Sequence, residues 1–193
     1  GKGRFQDKHF RLIEEAGFNH VRINLHPFKF TGDDHAIAPT WLETLDWAVE
    51  QALGNDLVII LDLHEFHAMS KDPLGLKDKF LSVWEQLASR YQDCPDTVFF
   101  EILNEPHDKL TVELWNDFLL EPYNLLRCIN PDRTLIIGPA FWNNIDYLDK
   151  LVLPEGDHNI IVTVHYYRPM RFTHQGAAWS DFVDLSNVEW QGT

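Results

Sequence analysis

Cysteine is almost absent. Cys94 and Cys128 are the two in 193 residues. They form no metal or redox spacing and build no disulfide scaffold, so they read as free, buried thiols. Basic residues are also scarce: 16 Lys and Arg stand against 30 Asp and Glu, a formal charge of −14. Polyphosphate binding needs a basic patch, and its absence excludes nucleic acid as a partner class. An acidic chain remains free to bind a neutral substrate. No apolar run reaches the roughly 18 residues of a membrane span, which argues against a membrane protein. No Gly-x-Gly-x-x-Gly follows an apolar run, which counts against a dinucleotide site. No signal peptide opens the chain, which begins Gly1-Lys2-Gly3 rather than at Met. Linkers, low-complexity runs and domain boundaries are missing too, so residues 1–193 read as one domain or part of one.

What is present is a loose repeat of strand, loop and helix. Five apolar runs read as strands: 20–25 (HVRINL), 57–63 (LVIILDL), 97–103 (TVFFEIL), 134–138 (TLIIG) and 159–164 (NIIVTV). The second is continuous enough to suit a strand covered on both faces. Helical spacing places a helix over 5–16 that ends at Gly17, and another over 76–91 on Leu76, Phe80, Trp84, Leu87 and Tyr91. Thr40-x-x-Glu43 reads as a capping box opening a helix that stops at Gly54. Residues 111–128 read as helical, with Pro122 expected to kink or split them, and a short helix is expected near 145–151. Strands alternating with helices imply right-handed crossovers and a parallel α/β sheet, either open and doubly wound or closed as a barrel.

The strand ends favour the barrel. Each long run stops in polar residues that a core would not select: Arg22 and Asn24, then His64, then Asn104 and Glu105, then Trp142 and Asn143, then His165 and Tyr167. Delivery of such groups to one end by five consecutive strands is the arrangement of a barrel enzyme with its site on the C-terminal face. Glu105 is the first candidate. A partly desolvated carboxyl there can act as a general acid, and Pro106 is expected to hold the Glu105 backbone extended.

Plainer readings stand beside these. Asn104 can cap a loop, or its amide can bind a substrate hydroxyl. Arg22 can pair with a core acid such as Asp62, or hold a catalytic carboxylate ionised. Trp142 is core or a sugar-stacking ring. His165 and Tyr167, two apart, share a face of an extended strand and point to the site, whereas Tyr166 faces the core. His64-Glu65-Phe66-His67 departs from His-Glu-x-x-His in spacing and in following a strand. A metal site built from His64, His67 and His165 is an alternative; histidines that hold sugar hydroxyls or carboxylates are the preferred reading.

Taken together, VRI around Arg22, VIILDLHEFH around His64, FEILNEP around Glu105, IIGPAFWN around Trp142 and VTVHYY around His165 and Tyr167 resemble glycoside hydrolase family five. These are cellulase-like, retaining β-glycosidases of a clan of barrel enzymes. The resemblance covers nearly the whole chain, in the family's order. It implies a (β/α)8 TIM barrel, cleavage of β-linked glucans or related polysaccharides, Glu105 as acid/base, and Arg22, His64, His67, Asn104, Trp142, His165 and Tyr167 as substrate-binding residues. It also implies no metal or organic cofactor, an extracellular or periplasmic location and a monomeric full-length enzyme. The closest wording is that of bacterial endoglucanases and lichenases.

One feature departs from the family pattern. Retention needs a second carboxylate about 5–5.5 Å from the first, acting as nucleophile. In the family it is a glutamate ending the seventh strand. The five runs here match strands two to six, so the expectation is an incomplete barrel, an internal fragment whose nucleophile lies beyond Thr193. Glu189 is the one late glutamate, but no apolar strand precedes it. A fragment of this kind is expected to be inactive and prone to aggregate. A non-catalytic carbohydrate-binding relative is the remaining alternative.

Overall fold

The computed structural model of the protein describes residues 5–190. Within them, β1 (His20–Leu25), β2 (Val58–Leu63), β3 (Val98–Glu101), β4 (Leu135–Ile137) and β5 (Ile160–Val162) form one parallel sheet in chain order. A doubly wound sheet would reverse its strand order at a switch point. No reversal occurs here, and the described strands make five adjacent staves of an incomplete (β/α)8 barrel.

Helix α1 (Asp7–Glu15) precedes β1, and α2 (Pro39–Leu53) joins β1 to β2. Helices α3 (Phe66–Lys71) and α4 (Lys77–Arg90) connect β2 to β3, and α5 (Val112–Ile129) connects β3 to β4. Between β4 and β5 runs a 3₁₀ turn, Ile145–Lys150.

The two faces of the sheet differ because successive side chains on a strand point to opposite sides. Ile59, Leu61, Leu63, Val98 and Phe100 are buried in one core with Leu45 and Val49 of α2, Trp84 and Leu87 of α4, and Trp115 and Phe118 of α5. Their neighbours Ile60 and Phe99, in register with Arg22, line an open concave cleft of 650 Å³. Val58 and Ile60 of β2 are half-buried, since they lie on the inner face that the five described strands leave open.

Buried tryptophans carry this packing to the strand ends. Trp84 donates its indole N–H to the Ile102 carbonyl at 3.0 Å, and Trp115 donates to that of Gly138 at 2.9 Å. Such rings bring large apolar area and one directional bond each. Those bonds anchor the backbone two residues before Asn104 and just after β4.

Three local expectations need correction. Helix α2 begins at Pro39 with Ala38 as its cap, so Thr40 lies inside the helix and makes no capping box. Proline's preset φ suits the first helical position, where an N–H has no partner anyway. Helix α5 runs unbroken through Pro122, because Pro122 and its neighbours Phe118, Leu119 and Leu126 are buried and their packing offsets a local cost of about 3 kcal/mol. Cys94 is half-buried and Cys128 exposed, both free. Cys128 lies two residues past buried Leu126 on α5, which turns it away from the core. The expectation for Gly17 holds: it follows α1 at φ 86°, and its N–H reaches the Glu14 carbonyl at 2.8 Å.

Candidate active site

The C-terminal ends of the five strands bring most of the singled-out residues together. β1 carries Arg22. Its Nε donates to Glu101 Oε2 at 2.6 Å, and its Nη2 to Glu101 Oε1 at 2.8 Å and to Asn104 Oδ1 at 2.9 Å. The same Nη2 lies 3.0 Å from Asp62 Oδ2. Arg22 thus pairs with the core acids Asp62 and Glu101, and it also reaches the amide beside Glu105. Burial opposes its charge. The hydrogen bond to Glu101 and the fields of Asp62, Glu101 and Glu105 outweigh that, so its pKa rises above the ordinary value.

His64 follows β2, its Nδ1 2.5 Å from Asp62 Oδ2 and the Asn24 amide nitrogen 3.1 Å from the ring. A row of rings leads on from it. His26 lies 5.1 Å from His64, Phe66 4.9 Å from His64, and His67 4.0 Å from Phe66. Burial, and next the neighbouring His64, push His26 below its ordinary pKa. Among the described residues no three His, Cys, Asp or Glu side chains are grouped to hold a metal, so His64, His67 and His165 do not converge as the alternative requires.

Asn104 is buried, and its N–H still reaches the Leu63 carbonyl at 3.1 Å, although the regular part of β3 has ended at Glu101. Glu105 then adopts φ 43°. The extended backbone expected before Pro106 is therefore corrected. Proline disfavours the right-handed region, and local contacts select the left-handed one. Chief among these, His107 Nδ1 donates to the Glu105 carbonyl at 2.7 Å.

The Glu105 side chain is 17% exposed, and its Oε1 lies 2.6 Å from His165 Nδ1. Asn143 Nδ2 approaches His165 Nε2 at 3.4 Å. An ionised carboxylate only accepts, so when Glu105 is ionised His165 donates Nδ1–H to Oε1. Glu105 Oε2 has no hydrogen-bond partner among the described residues, which leaves it able to carry a proton. Tyr167 stands edge-on to His165 at 6.5 Å and borders the same cleft.

Trp142 arrives by an unusual backbone. Phe141, Trp142 and Asn143 have φ of 56°, 62° and 53° in succession. Each such non-glycine residue costs on the order of 1–3 kcal/mol, and persists only where its surroundings impose it. Here the Trp142 N–H donates to the Pro106 carbonyl at 3.2 Å, and the His165 N–H to the Asn143 carbonyl at 2.8 Å. Trp142 is thereby half-exposed, its ring stacked on His107 at 4.7 Å and 18°. A methyl group on Gly138 would sit 2.4 Å from the fully buried Asn143 side chain. Gly138→Ala is therefore expected to cost about 1–3 kcal/mol, as overpacking does, read as a lower midpoint in thermal unfolding.

Glu101, His26 and His107 lie at the site without having been singled out. Glu101 left a signal, a charge inside the apolar run VFFE, as did Asp62 inside LDL. His107 left only its place directly after Asn104-Glu105-Pro106.

Comparison with known proteins gives consistent matches. The sequence model of the family described as Cellulase (glycosyl hydrolase family 5) matches residues 3–192. Endoglucanase H of Acetivibrio thermocellus is 30% identical over 93% of this chain, and Endoglucanase C of that organism 32% over 91%. The chain spans 20% and 54% of the lengths of those two relatives. Among solved structures, cellulose synthase subunit Z (CcsZ) of Clostridioides difficile superposes with a TM-score of 0.94 at 40% identity, over 100% of this chain and 64% of that one. Thermotoga maritima Cel5A, solved with mannotriose, gives 0.93 at 38% identity, over 98% and 63%.

Proposed function

Since the chain belongs to glycosyl hydrolase family 5, the cellulase family, we propose that the protein hydrolyses internal β-glycosidic bonds of β-glucan with retention of configuration. The observation that carries this is the setting of Glu105. One oxygen is engaged by His165 at 2.6 Å, and Asn104, held by the charged Arg22, precedes it in the chain. A half-buried carboxyl with one oxygen oriented and the other free suits proton transfer to a leaving oxygen.

In the first step Glu105 gives its proton to the glycosidic oxygen as that bond breaks, and a carboxylate nucleophile bonds to the anomeric carbon. In the second, Glu105 takes a proton from water, the water oxygen bonds to the same carbon, and the nucleophile leaves. Asn104 and Arg22 hold the sugar beside the cleaved bond. His64, His165 and Tyr167 line the same subsite, and His67 and Trp142 lie along the ring-rich side. The nucleophile is not assigned to a described carboxylate. Both Glu101 oxygens are held by Arg22, and Glu189 is exposed outside any strand. The reading places it in sequence that follows Thr193. The whole protein is on this proposal a monomer that works outside the cell or in the periplasm on β-glucan or a related polysaccharide.

The test is to incubate the full-length protein with cellulose, mixed-linkage glucan, xyloglucan and mannan. New reducing ends are counted and the first-formed anomer is read by NMR. Release of the β-anomer from a glucan is expected. First-formed α-anomer, or binding with no new reducing ends, would sink the proposal, the latter in favour of a carbohydrate-binding role.

A further inference from the structure

His107 is 5% exposed, directly follows the Asn104-Glu105-Pro106 turn, and has no part in the chemistry derived so far. Its ring meets two site residues at once. The Nδ1 edge lies 2.7 Å from the Glu105 carbonyl, and the face stacks on Trp142 at 4.7 Å. A carbonyl oxygen only accepts, so Nδ1 must carry the proton. Phe66 at 5.7 Å and His67 at 6.1 Å close the ring in from the β2 side. Glu105 and Trp142 both have left-handed backbone, and Trp142 is tied back to Pro106. One imidazole therefore sits between two strained segments that belong to different strand ends.

We propose that His107 is a positioning residue that sets both the aim of the Glu105 carboxyl and the seat of the Trp142 ring. This rests on the reading of Glu105 as the general acid. The Nδ1–H bond holds the Glu105 peptide in its left-handed turn, which fixes where the side chain leaves the backbone. The ring face supports one face of Trp142, a side chain that stays half-exposed. Loss of the donor thus acts on proton transfer, and loss of the ring acts on sugar binding.

Two substitutions separate the roles in the full-length protein. His107→Phe keeps a flat ring under Trp142 but donates nothing. His107→Asn keeps a donor near the Nδ1 position but removes the stack. For His107→Phe, kcat/KM on unactivated β-glucan is expected to fall about tenfold or more, as a small misplacement of a reacting group does. On a 2,4-dinitrophenyl β-cellobioside, whose leaving group needs no proton, kcat/KM should stay within about threefold. For His107→Asn, KM for oligosaccharides is expected to rise several-fold, with kcat nearly kept.

Equal losses on both substrates, or no loss at all, would overturn the positioning role. Two observations decide it without turnover. A crystal structure of His107→Phe with Glu105 still left-handed and still bonded to His165 overturns it, as does 15N NMR of the unaltered protein that puts the His107 proton on Nε2. If the unaltered protein cleaves no β-glycoside, the functional reading falls, while these two measurements still judge His107.

Discussion

Glu105→Gln in the full-length protein is expected to lower kcat/KM on unactivated β-glucan by about 10²–10⁴-fold, the usual worth of a positioned general acid. The amide is nearly isosteric. It can still approach His165 and leave the left-handed turn at φ 43° in place, so the loss should come without unfolding. Far-UV spectra and the thermal midpoint should match the parent. The leaving group supplies the sharper readout. With a dinitrophenyl glycoside the first step needs no proton, so kcat/KM should be nearly intact, while kcat falls because the second step has lost its base. Near-normal turnover of glucan by Glu105→Gln would remove Glu105 from the mechanism. A loss equal on both substrates would make it a structural residue.

Much of this site could be read in the sequence, because parallel strands alternate with helices and end together. Period and composition locate five runs, and a polar residue at the close of each run lands on the same rim. That is why Arg22, His64, Asn104, Glu105, His165 and Tyr167 are found in one connected neighbourhood. The parts that could not be read depend on contacts between segments far apart in the chain. The backbone of Glu105 is one case. Proline removes one basin, but the choice between the other two is made by His107 and His165. The turn at Phe141–Asn143 is another, since nothing in Phe-Trp-Asn favours the left-handed region except a mild tolerance in Asn. It exists because Gly138 leaves room for the Asn143 side chain, and because the peptides of Trp142 and His165 are bonded across it. Pro122 shows the converse: a strong local signal for a break is overridden by burial along α5. Glu101 stood in plain view as a charge within an apolar strand. It reads as an ordinary strand residue until the register sets it one strand from Asp62, where both meet the guanidinium of Arg22.

That shared guanidinium makes Arg22→Met the substitution with the largest expected effect on stability. Asp62 is fully buried, and the Glu101 side chain is 3% exposed. Asp62 Oδ1 already lacks a partner, so its charge is answered by Arg22 and His64 through Oδ2 alone. Without Arg22 the buried Glu101 carboxylate and the Asn104 carbonyl oxygen lose their donor together, and Asp62 keeps His64 alone. Breaking a buried pair in this way costs about 3–5 kcal/mol, most of it the penalty of a stranded charge rather than the worth of the bond. Arg22→Lys should lose less but not little, because one ammonium cannot span both Glu101 oxygens and Asn104. The pKa of Arg22 is raised from an already high value, so its contribution is complete below the unfolded-state pKa and would fade only as pH rose past the folded one. From the arginine side, the deficit should therefore stay constant through neutral pH. The discriminating measurement is a double-mutant cycle by denaturant unfolding. Glu101→Gln added to Arg22→Met removes one of the stranded charges, so the pair should be more stable than Arg22→Met alone. Strict additivity, or a single Arg22→Met loss under about 1 kcal/mol, would show that water rather than Arg22 answers these charges.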